Sequence, residues 1–82
     1  MDLKPVKAKE IPVEQAIFNR GWLLLKMYGN ITEQDDEAWN TLVNDANVLY
    51  KLGRDKATEK LSRAVALGIV DYLDERAKEK RQ

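Results

Sequence analysis

The chain contains no cysteine and no histidine. That double absence removes disulfides, thiolate and imidazole zinc sites, cysteine nucleophiles and every triad built on an imidazole base. Proline occurs twice, glycine four times and serine once, as Ser62. No apolar run exceeds four residues, as in Trp22–Leu25, whereas a membrane-spanning helix needs about 20. There is also no excess of either charge, since 14 Lys and Arg face 14 Asp and Glu. The chain as a whole therefore exerts no long-range pull on nucleic acid or acidic lipid. The N-terminal residues hold no apolar core that could act as a secretory signal. These features lead us to expect a cytoplasmic protein with no membrane partner, no metal and no cofactor.

What is present is one small domain's worth of apolar residues, 44% of 82, arranged without the period-2 alternation of strands. Residues 1–10 mix Lys4, Lys7, Lys9 and Glu10 around Pro5 and read as a flexible basic arm. Residues 11–82 read as a single helical domain. Pro12 suits a first helical turn and Glu14 complements the helix dipole there. Gly29-Asn30 offers a left-handed stop after Tyr28. Thr32 can cap a second helix over about 33–52, with Asp35 in a capping-box position. Gly53 ends that helix, and Asp55 can cap a third that runs to about Lys80. Short turns at Gly29-Asn30 and Gly53-Asp55 predict an all-α, antiparallel up-down-up three-helix bundle. The stretch from Ala46 to Leu67, with Leu49-Tyr50-Lys51-Leu52-Gly53 followed by Ala57, Leu61 and Ala64, resembles the middle of a tetratricopeptide hairpin. It covers about a quarter of the chain, its turn is one residue short and no second copy follows. A generic helical hairpin accounts for it, and no binding residue is carried over.

The apolar arcs are wider than one such bundle can use. Placed on a wheel at about 100° per residue, helix two is ordinary, with Asn40, Asn44, Asn47 and Lys51 on its wet side. Helix one has a main seam containing Ile17 and Leu24 and a second beside it made of Phe18, Trp22 and Leu25. Gly21 lies between them, and a mid-helix glycine implies that another backbone comes close. In helix three, Ala64 to Val70 is apolar all the way round for two turns. One row there, Arg63, Leu67, Val70 and Asp74, has heptad-like spacing, and two antiparallel copies would bring Arg63 near Asp74. Phe18, Trp22, Leu25, Arg63, Leu67, Val70 and Asp74 are therefore the expected interface residues of a self-associating, non-catalytic interaction or scaffolding module. A homodimer is the favoured partner arrangement, with another protein as an alternative.

Three further features have ordinary readings. Glu33, Asp36 and Glu37 would share a helical face able to hold a hard cation, but acidic side chains gather at helix N-termini through the dipole alone. Ser62 has no base to activate it and reads as a solvent-facing helix residue. Lys51, Arg54, Lys56, Lys60 and Arg63 form a basic cluster at the second turn, which defines the alternative function of a small nucleic-acid-associated or regulatory protein. Helix three turns apolar after Arg63, unlike a recognition helix, and a Glu59–Arg63 pair is expected on the surface instead. Nucleic acid is thus not the expected partner.

Overall fold

A computed structural model describes residues 3–79 and places three α-helices on one core. Residues 3–10 are exposed along their length and form one 3-10 turn, Ala8–Glu10. Helix α1 spans Pro12–Tyr28, α2 spans Asp36–Tyr50 and α3 spans Lys56–Glu79. The predicted Lys80 end of α3 lies outside the described residues. Each helix packs against the other two. The Tyr28 hydroxyl donates to Asp45 at 2.6 Å, and Ser62 donates to the Tyr50 carbonyl at 2.9 Å. Those links set α2 antiparallel to both neighbours. Helices α1 and α3 run in the same direction, with Phe18 beside Ala64 at one level and Gly29 beside Tyr72 at another. The up-down-up bundle expected from the sequence is the observed architecture.

The core follows from helical spacing. Ile17, Leu24 and Tyr28 face Leu42, Ala46 and Leu49, with Ala66, Leu73 and Ala77 closing the third side. Each fully buried Leu or Ile contributes about 1.5–3 kcal/mol by leaving water. Ile31, which follows α1, is also buried. Its burial draws the first link over the bundle end and makes it longer than a two-residue turn.

Several local expectations are corrected. Helix α2 begins at Asp36 rather than 33, because Asp35 and not Thr32 supplies the cap, accepting from the Ala38 N–H at 3.1 Å. Thr32 instead uses its carbonyl, which takes the Trp39 indole N–H at 2.8 Å and the Asp35 N–H at 3.2 Å. Glu33 consequently precedes the helix and does not share a helical face with Asp36 and Glu37. Gly29 is right-handed, at φ −58° and ψ −24°, and no described residue has positive φ. The chain leaves α1 through a turn closed by Ile31 N–H to the Tyr28 carbonyl at 3.0 Å. The second link begins at Lys51, where α2 ends, earlier than expected. Asp55 does cap α3, accepting from the Thr58 N–H at 2.9 Å. The backbone and hydroxyl of Thr58 together hold the Asp55 carboxyl below its ordinary pKa. Ser62 is fully buried rather than solvent-facing. Its hydroxyl reaches the Tyr50 and Glu59 carbonyls, so burial leaves no polar atom of the side chain without a partner.

Candidate interaction surface

The seam between α1 and α3 is set by Gly21. A Cβ there would lie 2.8 Å from Cδ1 of Ile69 and 3.2 Å from Cγ1 of Val65. The close approach is therefore made by two side chains of α3, not by a backbone as the sequence suggested. With Ile69 and Val65 turned into the seam, the next residues round each helix point outward and leave a groove. Phe18, Trp22 and Leu25 form its α1 wall, and Ala64, Gly68 and Tyr72 form the α3 side. Its first stretch encloses about 360 Å³ and its second, toward Gly29 and Tyr72, about 330 Å³; Trp22, Leu25, Gly68 and Ile69 line both. Trp22 is 61% exposed and Phe18 55%. Gly68 is exposed in the middle of α3, and a Cβ on it would meet nothing within 4 Å.

The other expected interface residues lie elsewhere. Leu67 and Val70 point toward α2 and line a smaller groove of about 260 Å³ with Val43, Asn47 and Tyr50. Leu67 is 57% exposed and Val70 partly buried. Arg63 stacks its guanidinium over the Tyr50 ring, 5.2 Å from the centroid. A cation over an aromatic face in this range is attractive, and among the described residues no Glu59–Arg63 ion pair forms. Asp74 lies 3.1 Å from Lys78 on its own helix, and that bond raises the Lys78 pKa. The structure thus divides the seven residues between two faces of α3: Phe18, Trp22 and Leu25 on the α1 side, and Arg63, Leu67, Val70 and Asp74 on the α2 side. Ala64, Gly68 and Tyr72 were missed. The mid-helix glycine rule applied to Gly21 would have found Gly68 as well.

The basic cluster surrounds the second link. Lys51, Arg54, Lys56 and Lys60 are all exposed, and Arg63 is the member engaged with an aromatic ring. Glu59 shares the cleft formed by Tyr50, Lys51, Gly53 and Arg63, which puts an acidic residue among the basic ones. Among the described residues no three carboxylates converge into a group that could hold a metal ion. None of the described helices is long and apolar enough to cross a membrane. No protein-family model, curated protein or solved structure matches this chain.

Proposed function

We propose that this protein is a non-catalytic helical interaction module of the cytoplasm that associates with itself, most simply as a dimer, through the apolar groove between α1 and α3. The observation that carries this reading is the groove itself, walled by Phe18, Trp22, Leu25 and Tyr72 with none of the described segments lying over it. Aromatic residues standing beside a pocket are the usual anchors of protein interfaces. Sedimentation across micromolar to millimolar protein tests the reading. The expected result is a concentration-dependent rise in molar mass that Trp22→Glu suppresses. A chain that stays monomeric throughout overturns self-association. A Leu67→Glu, Val70→Lys double variant tests the α2-side patch separately.

The second reading, nucleic-acid association through Lys51, Arg54, Lys56, Lys60 and Arg63, rests on these five exposed cations around one link. It requires duplex binding that falls steeply with added salt, because counterion release sets the slope. The absence of any mobility shift at low salt ends it.

A further inference from the structure

We infer that α3 carries a second, self-complementary face on its α2 flank, where another copy docks antiparallel across Leu67; this contact is separate from the groove and takes the chain past the dimer that the groove alone gives. Charge is what commits the face to a second copy. Residues 60–67 hold Lys60 and Arg63 and no acid, while residues 68–75 hold Asp71, Asp74 and Glu75 and no cation. Lys60 and Asp74 stand seven residues before and seven after Leu67, and at about 100° per residue both fall within about 20° of it round the helix. Arg63 and Asp71, four before and four after, fall about 40° to either side. Leu67 thus sits on a stripe that is cationic on one side of it and acidic on the other. A two-fold axis at Leu67 sets Lys60 and Arg63 of each copy against Asp74 and Asp71 of the other, as an isologous interface demands. A parallel pair sets like against like.

A lone helix gains nothing from that order. Lys56, Lys60 and Arg63 place like charges four and three residues apart, and Asp71, Asp74 and Glu75 do the same; such neighbours destabilise an isolated helix. Lys56 and Lys60 also stand in the first turns of α3, where the helix dipole favours acids. Among the described residues neither Lys60 nor Asp71 has an ion-pair partner. Arg63 rests the face of its guanidinium on Tyr50, which leaves the N–H groups at its edge to donate. Asp74 holds Lys78 through Oδ2 alone, in an exposed pair of a kind that contributes little. Between the charged halves, Leu67 stands beside the groove that Val43, Asn47 and Tyr50 form on α2, an apolar seat for Leu67 of the other copy. The like pair brought level by the same axis, Lys56 and Lys78, lies about 16 Å from it along the helix, where Lys78 is held by Asp74 and Glu75.

Two double variants, alone and mixed, test this by sedimentation equilibrium at low salt. Lys60→Glu with Arg63→Glu makes the stripe acidic on both sides of Leu67, and Asp71→Lys with Asp74→Lys makes it basic on both. Each alone is expected to raise the dissociation constant of this contact at least about tenfold, since its attractive pairs become repulsive. An equimolar mixture of the two restores opposite charges across the axis and returns association to near that of the unaltered chain, which also shows that both variants are folded. Trp22→Glu separates this face from the groove. The expected result is an unaltered chain that passes the dimer and double variants that stop at it until they are mixed. If association ignores Trp22→Glu but is lost in each double variant and regained on mixing, this face stands and the groove reading falls. If the double variants associate as the unaltered chain does, or mixing restores nothing, this face is wrong and the groove reading is untouched. If the unaltered chain is monomeric at every concentration, both fall together.

Discussion

The Ser62 hydroxyl donates to the backbone carbonyl of Tyr50 at 2.9 Å, tying the first half of α3 to the last turn of α2. Carbonyls in a final helical turn have no partner within their own helix, and this one is satisfied by a side chain that is itself fully buried. Ser62→Ala removes the donor and leaves the Tyr50 carbonyl short of a partner in the interior. The expected loss is about 1–2 kcal/mol, the cost of stranding a buried polar group, measured by urea unfolding. An unchanged midpoint would mean that water replaces the hydroxyl.

Three glycines should respond to alanine in three ways. At Gly53 a Cβ would fall 2.5 Å from both the backbone N and the Cα of Glu59. Only movement of the second link away from α3 can relieve that overlap, so Gly53→Ala is expected to destabilise by about 1–3 kcal/mol. At Gly21 the obstruction is the tip of Ile69, which can rotate, so the gain in helix propensity offsets much of the crowding. At Gly68 there is no obstruction, and Gly68→Ala is expected to stabilise the monomeric fold by about 1 kcal/mol. Thermal unfolding of the three variants at low protein concentration gives the order Gly68, Gly21, Gly53 from most to least stable.

The difference between legible and illegible features lies in how local the deciding force is. Pro12 and Asp55 act on their own helix ends, and both starts were readable from the residues alone. The start of α2 was not, because Thr32 and Asp35 are equally good caps and the choice between them is made by burial of Ile31 and by the Trp39 indole on the Thr32 carbonyl. Ser62 was misplaced for the same kind of reason. Its burial depends on a carbonyl twelve positions away in sequence. The excess of apolar surface on α1 and α3 was visible in the width of their arcs. Its division into two grooves was not, since that depends on which flank of α3 each neighbouring helix covers.

Tyr28 gives the fold a dependence on high pH. The bond that its hydroxyl donates to the Asp45 carboxylate is the main reason its pKa lies above 10.0; burial and the Asp45 charge act in the same direction, and Thr41 opposes them. The neutral hydroxyl is thus favoured more in the folded chain than in the unfolded one. Its contribution is complete below pH 10.0 and is lost as pH rises through the higher folded value. Tyr28→Phe is expected to be less stable near neutrality and to lose less stability between about pH 9 and 11. Parallel stability curves for the two proteins over that range would assign the dependence to other groups.

The two tryptophans make the groove observable without a label. Trp39 is partly buried, with its indole N–H fixed on the Thr32 carbonyl at 2.8 Å, while Trp22 is 61% exposed at the groove wall. In a Trp39→Phe variant all indole emission comes from Trp22. Loss of the Trp39 bond costs about 1 kcal/mol at the end of the first link, away from the groove, so the surface under test stays intact. At micromolar protein the emission should be that of a solvated indole and open to quenching by iodide. As concentration rises, burial of Trp22 against a second copy should move the maximum to shorter wavelength and protect it from the quencher. Adding Gly68→Gln to the same chain should hold the emission at its dilute value throughout. Emission that ignores concentration while sedimentation reports a dimer would take Trp22 out of the contact and move the interface to the Leu67–Val70 side of α3.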